Sequence, residues 1–157
     1  MKNIKKTLSL CLIIFSLFIF FPIHCEASDY EYQKTTDLVY FETVIEDNSH
    51  NIITLASTTK SKTGSKTIYC KDADGKVLWY VKVTGTFSYD GSTSTCTSVS
   101  MTTSTNAAGW NIVNKKCSKS GNRATASATG QKSHNGTVTN SITKSVTLSC
   151  SKTGTLS

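Results

Sequence analysis

Four cysteines, Cys70, Cys96, Cys117 and Cys150, are the most chemically capable side chains in the body of this 157-residue chain. No two of them form a Cys-x-x-Cys pair, the spacing that a structural zinc site or a dithiol redox motif requires. His50 and His134 stand in Asn-Ser-His-Asn and Ser-His-Asn-Gly. Beside a turn signal, His134 reads as a solvated loop residue rather than a general base. Neither His-Glu-x-x-His nor Gly-x-Ser-x-Gly occurs. Between residues 51 and 157 the acids are Asp72, Asp74 and Asp90. Each lies within a few residues of a turn glycine, which is reason enough for its presence. Asp72-Ala73-Asp74-Gly75 opens like a calcium loop, but the late Glu is absent and Lys71 and Lys76 flank it. Asn135-Gly136-Thr137 fits the glycosylation pattern and reads better as a hairpin turn. These residues indicate no catalytic site, no cofactor and no metal, and hence no enzyme.

The elements that would position them are strands. In "KVLWYVKVTGTFSYDG", residues 76–91, Val77, Trp79, Val81, Val83, Phe87 and Tyr89 share one parity, with Gly85 in the gap. That is a period-two strand with an apolar face, ending in an Asp-Gly turn. From Ser57 onward, 38 of 101 residues are Ser or Thr, interleaved with apolar ones. β-branched Thr suits the outer face of a half-buried sheet. Strands are expected at 67–71, 77–89, 95–102, 110–116, 124–130, 137–142 and 145–151. Asp74-Gly75, Asp90-Gly91, Ser120-Gly121-Asn122 and Asn135-Gly136 supply turns. About seven short strands and no amphipathic helix predict an all-β, antiparallel β-sandwich.

The N-terminus reads as a targeting segment. MKNIKK is followed by an apolar run from Leu8 to Phe21, then Pro22 and Cys25-Glu26-Ala27. The run is short of the roughly 20 residues that span a bilayer, so it predicts a signal peptide, residues 1–27, cut between Ala27 and Ser28. Export would remove Cys11 and Cys25. Residues 28–56 form an acidic segment, with Asp29, Glu31, Asp37, Glu42, Glu46 and Asp47 against Lys34. A pro-segment, a tail docked on the basic part and a solvated leader all fit it. Residues 57–157 form the basic domain, carrying thirteen Lys and Arg against three acids.

An even number of cysteines in a small exported domain predicts two disulfides, and four cysteines permit three pairings. Cys96 with Cys150 and Cys70 with Cys117 is the preferred set, closing loops of 54 and 47 residues. The chain-entropy model assigns each about 4 kcal/mol. Cys96, Trp110 and Cys150 resemble, in order and approximate spacing, the Cys, Trp and Cys of an immunoglobulin domain, where Trp packs on the bridge between sheets. Two departures stand out: Leu148 replaces the expected Tyr, and Cys96 shares parity with Ser98 and Ser100. A bulge is needed to turn Cys96 inward. The stretches "LWYVKVTGTFSYDGSTSTCTS" (78–98), "SKSGNRATASATG" (118–130) and "VTLSCSKTGTLS" (146–157) are similar to small exported proteins of Gram-positive bacteria that have no assigned function. That resemblance implies a signal peptide plus one β-rich domain, with Cys96 bonded to Cys150. It makes Cys70 with Cys117 an addition and implies no activity.

Charge is the remaining functional signal. A basic exported domain is expected to favour anionic cell-wall polymers or an acidic membrane surface, whereas export argues against nucleic acid. The expectation is a secreted, wall-associated, non-enzymatic protein. The alternative is an antagonistic, toxin-like polypeptide whose acidic pro-segment is removed.

Overall fold

The run Val77–Tyr89 forms a strand with the bounds its periodicity predicts, and the rest of the fold is arranged around it. The structure, a computed structural model, describes residues 38–48 and 59–157. The expected signal peptide and its cut between Ala27 and Ser28 lie outside the described residues. Seven strands follow in order: β1 (Tyr40–Asp47), β2 (Lys60–Lys71), β3 (Val77–Tyr89), β4 (Ser94–Ser104), β5 (Trp110–Ser120), β6 (Arg123–His134) and β7 (Thr137–Ser149). All pair antiparallel, in a four-stranded sheet β1-β2-β3-β4 and a three-stranded sheet β5-β6-β7. Among the described residues there is no helix. The two sheets face each other, β3 lying over β6 and β7, and β4 over β5 and β6.

The interface joins large residues to small ones. Trp79, Val81, Val83 and Phe87 of β3 point inward and are buried. Opposite them β6 presents Ala124, Ala126, Ala128 and Gly130. Gly130 is required by this fit, since a Cβ there would lie 2.4 Å from Cε2 of the Trp79 indole. Val146 and Leu148 of β7, with Trp110 and Ile112 of β5, complete the core. Beyond β7 the chain folds back, bridging Cys150 to Leu156, and Leu156 lies against Gly64.

Several elements differ from expectation, each for a local reason. The strands expected at 137–142 and 145–151 are one strand, β7. Lys144 sits on its inward parity and looks like an interruption, yet its ammonium lies 3.7 Å from the centroid of the Phe41 ring in β1. That cation–π contact lets a lysine occupy the margin of the core. β2 begins at Lys60 rather than at 67, because backbone pairing with β3 carries its polar half. β1 lies in the segment set apart as acidic, so residues from both sides of position 56 share one sheet. Nor is the topology that of an immunoglobulin domain, which interleaves strands between sheets. Here each sheet is a meander of consecutive strands, and the passage between sheets is made once, by residues 105–109.

Trp79→Ala is expected to cost about 3–5 kcal/mol, as large-to-small core changes do. Gly130→Ala should cost about 1–3 kcal/mol through overpacking against the same ring. Lys116→Ala, exposed on β5, should shift stability by less than about 0.5 kcal/mol. Urea unfolding of the three variants checks the order; a neutral Gly130→Ala would show that the ring is not pressed against β6.

Candidate functional site

Formal charge separates between the sheets. Residues 38–90 hold six acids, Glu42, Glu46, Asp47, Asp72, Asp74 and Asp90, and six lysines, so they cancel. Residues 91–157 hold six lysines and Arg123 with no Asp or Glu at all. β1 is what neutralises the first sheet. Glu42 pairs with Lys71, Glu46 with Lys82 at 2.7 Å, and Asp47 with Lys62 at 2.7 Å. The Ser65 hydroxyl also donates to Glu46, at 2.9 Å. The Lys82 and Ser65 hydrogen bonds, followed by the Lys82 charge, hold Glu46 below the ordinary glutamate range. The paired carboxylates raise Lys62 and Lys71 in turn.

The uncompensated charge is densest on the β5–β6 hairpin. Lys115, Lys116, Lys119 and Arg123 are all exposed, gathered around the turn Ser120-Gly121-Asn122. β5 is an edge strand, and its register shifts between Val113 and Lys116, where Asn114 adopts φ 53°. A bulge there changes the parity of β5, so that Lys116 pairs with Ser127 on the outer face and Lys119 pairs with Ala124 on the face toward β4. The Lys119 ammonium donates to the Thr97 carbonyl of β4. Lysines on an edge strand also keep other strands from pairing with it. Ammonium and guanidinium groups spread over an open hairpin suit a repeating anion rather than one small molecule.

The outer face of the four-stranded sheet carries a second feature that sequence reading passed over. Tyr69 and Tyr80 are cross-strand partners, their ring centroids 5.7 Å apart and their planes tilted by 53°. Glu42 flanks Tyr69 on β1, and Ser104 flanks Tyr80 on β4. The signal was present in the spacing of the two strands, but it needed their register.

The four described cysteines divide into three environments, and neither expected disulfide, Cys96 with Cys150 or Cys70 with Cys117, is formed in this structure. A register shift between Thr86 and Phe87 sets Cys96 opposite Phe87, buried, where parity alone would have turned it outward. Cys96 N–H donates to the Gly121 carbonyl at 2.7 Å and Cys150 N–H to the adjacent Asn122 carbonyl at 3.1 Å. The β5–β6 turn therefore draws both buried cysteines to one end of the sandwich. Cys70 and Cys117 are not brought together. Cys70 is fully buried in β2, Cys117 is exposed on β5, and those two strands make no contact. Burial pushes the Cys70 thiol up to about 11. The nearby Trp79 N–H, which has no oxygen or nitrogen partner, and the Lys144 charge oppose that rise.

The remaining polar candidates are occupied structurally. One Asp72 carboxylate oxygen accepts from the N–H groups of Asp74 at 3.1 Å and Lys76 at 2.9 Å. Asp90 accepts from the N–H of Thr93 at 2.7 Å and of Ser92 at 2.8 Å, and these bonds lower its pKa. His134 is exposed at the β6–β7 turn, which closes through Asn135 and Gly136 at φ 49° and 78°. Among the described residues no cluster of His, Cys, Asp and Glu could hold a metal ion. No protein-family model, curated protein or solved structure matches the chain.

Because Glu46 is lowered by its partners, the stability it lends β1 is complete above the ordinary glutamate value and fades as pH falls through its depressed one. Carboxyl NMR titration should place Glu46 below that ordinary value in the native chain and return it upward in Lys82→Gln. An unchanged midpoint would show that the ion pair does not hold the strand.

Proposed function

We propose that this chain is an exported, non-enzymatic binding protein whose basic half attaches to anionic polymers of the cell envelope. The observation that carries the reading is the separation of charge: acids and lysines cancel over residues 38–90, and seven cations without one acid follow. Lys115, Lys116, Lys119 and Arg123 are the contact residues, exposed together on the β5–β6 hairpin. The acidic β1 supports this division, since it is paired into the first sheet and neutralises lysines there instead of masking the second. Removal of residues 28–56 as a pro-segment would leave the β2 edge unpaired.

Binding of this kind releases counterions and weakens with salt, steeply when several cations take part. In sedimentation with purified cell wall, the native protein should bind at low salt and detach as salt rises. The combined change Lys115→Gln, Lys116→Gln, Lys119→Gln and Arg123→Gln should weaken low-salt binding by about tenfold or more and flatten the salt slope. Lys60→Gln with Lys76→Gln, at the start of β2 and in the turn before β3, should change it little. Equal binding by both variants, or none at any salt, would remove the hairpin from the function.

The same reading includes a Cys96–Cys150 bridge formed in the oxidising exterior, supported by their burial at one end and their adjacent backbone anchors. Non-reducing peptide mapping of exported protein should recover that linkage, with Cys70 and Cys117 not joined to each other. A Cys96–Cys117 peptide would refute it.

A further inference from the structure

Three tyrosines from three adjacent strands share the outer face of the four-stranded sheet. Tyr69 and Tyr80 sit opposite each other on β2 and β3, on the parity that faces away from buried Cys70 and Trp79. Tyr40 of β1 belongs to the same face, since its neighbour Phe41 pairs with Cys70 and turns inward to Lys144 of β7. The Tyr40 hydroxyl reaches the β2–β3 turn, where it would lie 3.2 Å from a Cβ placed on Gly75. Tyr40 is 44% exposed and Val77, at the start of β3, 37%, so the cluster opens to solvent at that end of the sheet. Among the described residues, none of the three phenol hydroxyls is hydrogen-bonded to the protein.

Sheet stability does not account for this grouping. A cross-strand aromatic pair stabilises a sheet, which explains Tyr69 against Tyr80 but not an open Tyr40 beside them. Farther along the face, the same parity carries only Thr63 and Ser65 on β2 and Thr84 and Thr86 on β3. The charges beside the rings are already matched. Glu42, flanking Tyr69, pairs with Lys71, and Lys82, the next outward position after Tyr80, pairs with Glu46. Charge therefore gives a polyanion little hold here, unlike the β5–β6 hairpin.

From these observations we infer that this face binds a neutral glycan chain, with Tyr40, Tyr69 and Tyr80 packing against its sugars. A pyranose presents apolar C–H groups on its faces and hydroxyls around its rim. Phenol rings cover the first at low conformational cost. The rim needs donors and acceptors, which the phenol hydroxyls, the Glu42 carboxylate and the hydroxyl of Ser104, beside Tyr80 on β4, supply. The Tyr69 and Tyr80 rings, 5.7 Å apart and tilted by 53°, form no flat slab. That geometry suits successive sugars of one chain rather than the level surface of a crystalline polysaccharide. The site uses no cation of the β5–β6 hairpin, so it is independent of polyanion binding.

Salt separates the two activities, because binding a neutral glycan releases no counterions. At high salt, NMR titration of the native protein with cellotetraose, N-acetylchitotetraose and maltotetraose should show binding of at least one. The ring signals of Tyr40, Tyr69 and Tyr80 should shift, while those of Tyr89, at the far end of β3, stay in place. Tyr69→Ala and Tyr40→Ala should each weaken that binding by about tenfold, the loss typical of an aromatic anchor. The combined change of Lys115, Lys116, Lys119 and Arg123 to Gln should leave it as in the native protein. The ring shifts need no variant to fold. Their absence with all three tetrasaccharides, their loss at high salt, or full affinity in both tyrosine variants would overturn the proposal.

Discussion

The seating of β3 on β6 is the contact on which the rest of the molecule depends. Trp79, Val81, Val83 and Phe87 present bulk on one side, and Ala124, Ala126, Ala128 and Gly130 present almost none on the other. Large against small lets two sheets interdigitate at crystal-like density without long side chains from both. It also explains how a chain so rich in Ser and Thr sustains a core. Few apolar residues are needed when the second sheet offers mainly methyl groups and bare backbone. Gly85 belongs to the same fit: a Cβ there would press on both Phe87 and Ala124.

That seating fixes what each face displays. With the apolar parity of β3 turned inward, Tyr80, Lys82, Thr84 and Thr86 must face out, and register then sets their companions on β2 and β1. Tyr80 meets Tyr69, Lys82 meets Glu46, and the Thr86 hydroxyl meets Thr63 at 3.0 Å. On the other sheet the outer parity of β6 and β7 pairs Thr125 with Thr147 at 2.9 Å and Thr129 with Thr143 at 2.8 Å. One exterior is an ion-paired, partly aromatic surface of balanced charge. The other is a hydroxyl-covered sheet with a basic hairpin at its edge. Exposed ion pairs contribute little individually, so β1 owes its place mainly to the backbone ladder and Phe41, with charge selecting the partner.

Irregularities do as much positioning as the regular strands. The shift at Thr86/Phe87 turns Cys96 inward, and the shift between Val113 and Lys116 sets Lys116 on the outer face of β5 and Lys119 on the face toward β4. The turn at Gly121-Asn122 anchors the end of β4, through Cys96, and the end of β7, through Cys150. A single hairpin therefore ties together both sheets and presents the densest positive charge. The proposed binding surface is thus attached to an end of the domain where the hairpin turn is bonded to β4 and to the residue after β7.

Much of this fold was legible from residue order. Strong alternation marked β3 to the residue, the alanine series marked β6, and Asp-Gly and Asn-Gly marked the turns, because period-two patterning and positive φ are local demands. The absence of catalytic motifs and the basic balance of the domain were legible for the same reason. What tertiary structure alone decided rests on pairing between distant segments. β1 looked like an acidic leader because its carboxylates acquire partners only across a sheet, from lysines 15 to 36 positions away. β7 reads in sequence as two strands, 137–142 and 145–151, and the structure joins them with the Lys144 ammonium seated on the Phe41 ring. The meander topology, the tyrosine pair and the separation of Cys70 from Cys117 follow from which strands adjoin, and adjacency is not written in spacing. Net charge was a property of the sequence; its confinement to one half of the molecule came from β1 choosing its sheet.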